Sequence, residues 1–164
     1  MGALRRHLAK SGYALGTETR LDFRQFLNQA IANTRRAYDR MSAVPNYAIE
    51  HPDALAVVRS NLGYHLATKR SESDRAFELV DDLATSKDPD LVESYAWVSL
   101  RFAAPGDVRW NNGLAALRRA LCELPEPAEG WCEVVRARYR GAFAQWSSDH
   151  KLPDSLAELV AGGT

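Results

Sequence analysis

The apolar residues of this chain recur at helical spacing in every periodic segment, and nowhere do they alternate convincingly as along a half-buried strand. Turn-forming residues separate the segments, most plainly at Pro105-Gly106-Asp107. The pattern predicts about eight helices with short connections, an arrangement in which consecutive helices lie antiparallel. The fold class that follows is all-α.

Start and stop signals place these helices along the chain. Pro52 and Pro89 fall in first turns, where the missing N–H costs nothing, and Ser73 and Asp88 are predicted N-caps. The predicted helices are 3–11, 20–43, 52–70, 73–84, 89–102, the segment of Leu114 to Leu121, 128–146 and 153–162.

Length and charge narrow the classes of protein. A chain of 164 residues can bury a core without disulfides or metals. Its formal net charge of zero argues against nucleic acid and anionic membranes as partners, and no apolar run is long enough for a membrane span. Cys122 and Cys132 lack C-x-x-C spacing, which is typical of thiols in a reducing compartment. We therefore expect a cytoplasmic protein.

A search for chemistry finds no motif. There is no H-E-x-x-H, G-x-S-x-G or phosphate-binding glycine loop, and the four histidines are scattered. Glu78, Asp81 and Asp82 cluster on one helix, but they face away from its apolar stripe and are interpreted as a solvated acidic face. We expect no catalytic residue, no metal, no cofactor and no enzymatic activity.

Two stretches of the chain repeat. Gly63-Tyr64 recurs 33 positions later as Ala96-Trp97. A second pattern, small-x3-apolar-x2-apolar followed by a proline, occurs twice, at Ala76, Val80 and Leu83 with Pro89, and at Gly113, Leu117 and Ala120 with Pro125. Small residues at such positions let two helices approach, and the bulky residue on the next turn fills the groove beside them.

This pattern resembles the tetratricopeptide repeat (TPR), a helix–turn–helix unit of about 34 residues. The resemblance covers residues 53–125, about two units, with a longer inter-helix turn in the second unit around Trp110. Because stacks of this kind need about three units, we expect flanking helices in 1–46 and 126–164 to cap the two units in 47–125. The prediction is one domain over residues 1–164, a short TPR-like α-solenoid. An irregular helical bundle is the alternative.

The resemblance implies that the first helix of each unit lines a concave groove that binds an extended or helical peptide. The family register places eight residues on the groove side: Ser60, Asn61, Tyr64, Thr68, Glu93, Ser94, Trp97 and Arg101. The alternative for Tyr64 and Trp97 is that they only pack between neighbouring units. The lysines of a carboxylate clamp are missing, so a C-terminal carboxylate is not expected as the ligand. Trp110 is either a staple at the start of its helix or an exposed loop contact.

The predicted function is therefore a non-enzymatic scaffold or adaptor module that binds another protein or peptide. Three alternatives stay open: an oligomerisation or regulatory domain of a larger assembly, an all-helical RNA-binding protein, and an enzyme with a site assembled from scattered residues. Arginine outnumbers lysine 17 to 4, which is the basis of the RNA alternative. A zero net charge is compatible with a homo-oligomer.

Overall fold

The computed structural model of the chain describes residues 17–144 and 154–161, and every regular element within these ranges is helical. The α-helices there are α1 (Thr17–Ala43), α2 (Tyr47–Glu50), α3 (Pro52–Lys69), α4 (Ser73–Val80), α5 (Pro89–Phe102), α6 (Val108–Arg118), α7 (Trp131–Ala144) and α8 (Asp154–Ala161). A 3₁₀ segment (Asp81–Thr85) extends α4, and a π segment (Arg119–Glu123) extends α6. The all-α prediction is confirmed for these ranges. The helix predicted over 3–11 and the end of the one predicted over 128–146 lie outside them.

The residues that begin α3 and α5 are those predicted, whereas α4 begins in a different way. Pro52 and Pro89 open α3 and α5, and the Asp88 side chain accepts a hydrogen bond of 2.8 Å from the Asp90 amide. At α4 the prediction of a Ser73 cap is wrong: the residue before the helix is Glu72, with a left-handed φ of 54°. Arg70 at the end of α3 is also left-handed, with a φ of 55°, so a tight turn of such residues sets the start of α4.

The four helices of the predicted repeat form two hairpins, α3 with α4 and α5 with α6, and α3 also packs against α5. A Cβ added at Gly63 would lie 2.6 Å from Val80 Cγ1 and 3.3 Å from the Ala76 carbonyl oxygen. A Cβ added at Gly113 would lie 2.8 Å from Ser99 Cβ. Both glycines therefore lie where two helices approach closely, as the spacing of small residues predicts.

Helix α5 lies at the centre of the protein. Every residue from Leu91 to Leu100 is buried, including the polar side chains of Glu93, Ser94 and Ser99. Helices α3, α4 and α6 pack against α5. Because buried polar groups need partners, the way in which Glu93 is satisfied constrains what covers the remaining face of α5.

The outer helices attach to this centre at both ends. Helix α1 packs on α3 and buries Leu27 and Ile31. At the other end α7 and α8 contact each other, and the Arg136 side chain donates a hydrogen bond of 3.3 Å to the Leu159 carbonyl oxygen. Helix α8 also contacts α6 and buries Leu156.

We predict that Gly63→Ala destabilises the protein. Val80 is fully buried and the nearby Ala76 oxygen belongs to the backbone, so neither gives way easily to the new methyl group. Overpacking of this kind costs about 1–3 kcal/mol, more than the ~1 kcal/mol by which alanine exceeds glycine in helix propensity. Urea unfolding measures the difference. The matched control is Asn112→Ala at an exposed position of α6, expected to change stability by less than about 0.5 kcal/mol. A Gly63→Ala variant as stable as wild type would contradict the close approach.

Candidate functional site

The predicted groove residues lie together on one surface of α3 and α5. By helical spacing, Asn61, Tyr64 and Thr68 share one side of α3, and Glu93, Trp97 and Arg101 share one side of α5; together they are called the α3–α5 face. At its centre the rings of Tyr64 and Trp97 stack, with centroids 5.2 Å apart and planes inclined by 17°. Tyr64 and Trp97 occupy equivalent positions of the predicted repeat, and the packing of α3 on α5 brings the two rings side by side.

Hydrogen bonds fix the aromatic pair in place. Trp97 Nε1 donates to Thr68 Oγ1 at 3.2 Å, and Thr68 Oγ1 donates to the Tyr64 carbonyl oxygen at 2.8 Å. A hydrogen bond of 2.8 Å between the buried hydroxyls of Ser60 and Ser94 joins the same two helices. Contacts between α3 and α5 therefore contribute to the arrangement of the α3–α5 face.

Helix α7 covers this face. Tyr139 meets Trp97 edge-on with ring centroids 5.1 Å apart, and Phe143 meets it edge-on at 6.4 Å. Trp131, at the start of α7, donates from Nε1 to Asp90 Oδ1 at 2.8 Å. With Val135, these residues form the apolar stripe of α7, which is buried against its neighbours.

The expectation of an open groove is corrected by this arrangement. Trp97 is 3% exposed and Glu93 is fully buried, so neither contacts solvent while α7 is in place. Asn61, Tyr64, Thr68 and Arg101 are half-buried. The physical reason is that burial of apolar surface is favourable. The apolar stripe of α7 and the aromatic side chains of α3 and α5 cover each other, and without α7 those aromatic side chains would be exposed to water. A role of these residues as peptide contacts stays a prediction.

A buried ion pair joins α7 to the α3–α5 face. Arg138 Nη2 lies 2.8 Å from Glu93 Oε1, and the Tyr139 hydroxyl donates to the same oxygen at 3.0 Å. The guanidinium carbon of Arg138 lies 5.1 Å from the centroid of the Tyr64 ring and 5.6 Å from that of Trp97. Tyr64, Glu93 and Trp97, which together surround this guanidinium with two aromatic rings and a carboxylate, are called the arginine cage.

Electrostatics favour the charge states that hold the pair together. Burial is the largest single influence on the pKa of Arg138 and lowers it, but the combined effects of Glu93, Tyr64 and Tyr139 outweigh burial and raise that pKa above its ordinary value. Burial, and then the negative charge of Glu93, raise the pKa of Tyr139 well above its ordinary value. Arg138 therefore stays charged, and Tyr139 stays protonated as a hydrogen-bond donor.

Trp110, predicted as a possible loop contact, is 1% exposed. Its ring lies edge-on to Phe143 of α7, with centroids 6.2 Å apart. Trp110 lies in the first turn of α6 and is buried against α7, so its prediction as an exposed contact is wrong for this structure. Its prediction as a helix-start staple stays a prediction.

Arg138 and Tyr139 are the residues of this site that the sequence did not single out. Arg136, Arg138 and Arg140 alternate along the sequence, and this alternation by itself does not distinguish the three. The signal lies in the neighbours of Arg138, which stands beside the apolar stripe at Val135 and Tyr139. A long basic side chain at that border reaches under the helix.

Other chemical signals are weak within the described ranges. No group of three or more His, Cys, Asp or Glu side chains there has the arrangement of a metal site, and Glu78, Asp81 and Asp82 are exposed. Burial raises the pKa of the Cys132 thiol. No helix of residues 17–144 and 154–161 is both long and apolar enough to cross a membrane.

Comparisons with known proteins find no relative. The chain matches no protein-family model, and no curated protein and no solved structure resembles it significantly. The resemblance to the tetratricopeptide repeat therefore remains a prediction from the sequence.

We predict that Arg138→Met destabilises the protein by about 3–5 kcal/mol, because it leaves the buried Glu93 carboxylate without its cation. The double variant Arg138→Met/Glu93→Gln removes both charges and keeps an acceptor for the Tyr139 hydroxyl, so it recovers at least half of that loss. Chemical denaturation of the three proteins measures both effects.

The control for this experiment is Arg75→Met. Arg75 pairs with Glu78 at 2.9 Å, and the two side chains are 43% and 64% exposed. Loss of an exposed pair changes stability by less than about 1 kcal/mol. A double variant that is less stable than Arg138→Met would contradict the account of Glu93 as a buried charge that needs a partner.

Proposed function

We propose that this protein is a non-enzymatic binding module, a short TPR-like helical stack that holds a helical segment of another protein on its α3–α5 face. A cytoplasmic location is part of the proposal and rests on the free thiols of Cys122 and Cys132. The module performs no chemistry of its own.

One observation carries the proposal, namely the chemistry of the contact between α7 and the α3–α5 face. Tyr64, Trp97, Arg138 and Tyr139 lie at its centre. Tyrosine, tryptophan and arginine are the residues that dominate the buried centres of protein–protein interfaces. The face already accommodates one helix with aromatic and guanidinium groups, which favours a helical ligand over an extended one.

The arrangement of the hairpins supports a TPR-like stack. The first helices of the two units, α3 and α5, pack side by side, and the second helices follow after short turns. Helix α1 packs on α3 in the manner of the second half of a preceding unit, and the contacting helices α7 and α8 resemble a following one. In this proposal the two flanks cap the stack.

The state of the arginines favours a protein partner over RNA. Several arginine side chains are paired with acidic neighbours: Arg35 with Glu72, Arg59 with Asp82, Arg75 with Glu78, and Arg136 with Glu133. A surface on which cations are matched by carboxylates offers phosphates little net attraction. A protein segment that carries both charged and apolar side chains is a better match for this surface.

Site-resolved crosslinking tests the proposal. A photoreactive phenylalanine analogue placed at Asn61 or Arg101, at the half-buried edge of the α3–α5 face, should crosslink one and the same protein in cells that express the module. The analogue placed at Glu78, an exposed residue of α4, is the matched control and should give no such product.

Mass spectrometry identifies the product and the crosslinked segment. A product formed equally well from Glu78, or the absence of any product other than the chain itself from all three positions, would contradict the proposed face.

A further inference from the structure

The three members of the arginine cage lie on α3 and α5, and they are held partly by contacts within these two helices. Its two rings stack on each other, and the hydrogen bond from Trp97 Nε1 to Thr68 holds the indole from the side. Glu93 lies one turn before Trp97 on α5, so its carboxylate is placed by the central helix of the fold. Every member belongs to α3 or α5, and Arg138 supplies only the cation that fills the cage.

Only one of the two carboxylate oxygens of Glu93 has partners in the part of the chain that the structure describes. Arg138 and the Tyr139 hydroxyl both approach Oε1 of Glu93, at 2.8 and 3.0 Å. The other oxygen, Oε2, is buried and has no hydrogen-bond partner among the described residues. An arginine that approached along the carboxylate could bond to both oxygens, the geometry in which guanidinium–carboxylate pairs are strongest. The resident arginine therefore leaves binding capacity unused.

The contact that closes the cage differs in kind from the contacts inside the hairpins. The residues that α3 and α4 bury are mainly apolar (Leu62, Leu66, Phe77, Leu79 and Val80), and the ion pair of Arg59 with Asp82 lies at a solvent-accessible edge. Under α7 the buried groups include a charge pair, a phenol and an indole. When two such surfaces separate, water hydrates their polar groups, so exposing them costs less free energy than exposing aliphatic surfaces of the same area. Helix α7 thus has the interface chemistry of a separable partner.

The connection that leads into α7 suits such a separation. Residues 125–130 are exposed throughout and include Pro125 and Pro127. Gly130 has a φ of 76°, with nothing within 4 Å of an added Cβ. The segment bonds mainly to the first turn of α7 itself, through the Cys132 amide to Glu126 at 2.9 Å and the Trp131 amide to the Ala128 carbonyl oxygen at 3.0 Å. Cys132 Sγ also lies 3.8 Å from the Leu121 carbonyl oxygen, a contact that a separation of α7 would break.

We propose that the arginine cage is a recognition site for an arginine side chain on a helix of a partner protein, and that Arg138 keeps this site closed until such a helix displaces α7. The inference rests on the proposed function, since it names the ligand chemistry of the same face. In this proposal α7 is an intramolecular ligand of the α3–α5 face, and its covalent connection gives it a high effective concentration there. A partner helix must therefore bind the face with a higher affinity than an untethered α7 would have.

The test uses a fluorescent peptide of residues 131–144 and the full-length chain. Three proteins are compared by fluorescence anisotropy: wild type, Arg138→Leu and Arg138→Leu/Glu93→Gln. We expect the peptide to bind Arg138→Leu at least tenfold tighter than wild type, because the resident cation is gone. The added Glu93→Gln substitution should reduce that affinity at least tenfold.

Peptide variants distinguish recognition of the Arg138 side chain from non-specific binding of the peptide. The peptide with Arg138→Leu should bind the open variant at least tenfold more weakly than the unchanged peptide. The peptide with Arg136→Leu is the control, with the same change of charge two positions earlier. It loses one hydrogen bond to the Leu159 carbonyl oxygen of α8, so its affinity should fall much less than that of the peptide with Arg138→Leu. Circular dichroism checks that each protein is folded. If Arg138→Leu does not fold, Val135→Ala replaces it, since that change loosens α7 and leaves the cage intact.

The outcomes distinguish the inference from the proposed function. Equal binding of the unchanged and Arg138→Leu peptides overturns arginine recognition but leaves the α3–α5 face as a protein-binding surface. No peptide binding to a folded variant with a weakened α7 overturns both. Dimers of the wild-type chain that form with rising concentration, and that Arg138→Leu abolishes, overturn a different protein as the occupant and assign a second copy instead.

Discussion

The buried carboxylate of Glu93 determines how the two ends of this protein fit together. Glu93 lies on α5, which is buried along nearly its whole length, and a carboxylate left alone there costs several kcal/mol. Arg138 on α7 supplies the matching charge at 2.8 Å, and Tyr139 adds a hydrogen bond to the same oxygen. The location of α7 follows, since it is the helix that carries both groups. Once α7 is there, its apolar stripe seals Trp97 and Trp110 from water.

Two kinds of packing coexist in the molecule as a result. Close helix crossings at Gly63 and Gly113 fix the hairpins by shape, with backbones too near for an added methyl group. The contact under α7 is fixed by charge and by aromatic edges, which give orientation without much gain over an apolar substitute. That difference is the reason to regard the hairpins as the scaffold and α7 as the occupant of its face.

The sequence predicted the parts that local rules control. Helical spacing, the Pro52 and Pro89 starts and the Asp88 cap placed most helices, and small residues at repeat spacing placed Gly63 and Gly113 at crossings. The same register brought Tyr64 and Trp97 together. The sequence missed the covering of this surface, because Arg138 and Glu93 lie 45 positions apart and no local rule links them. It also missed the left-handed turn at Glu72, where Ser73 offered an ordinary cap in its place.

Native-state hydrogen exchange of the full chain tests most directly whether α7 is a separable occupant. The amides of α7 and α5 would be followed in the regime where exchange reports the free energy of opening. Our account predicts that α7 amides exchange through an opening that exposes only this helix and its neighbour, with a free energy at least about 1.4 kcal/mol below that of the α5 amides, a tenfold difference in population. A common free energy for α7 and α5, equal to that of global unfolding, would contradict it.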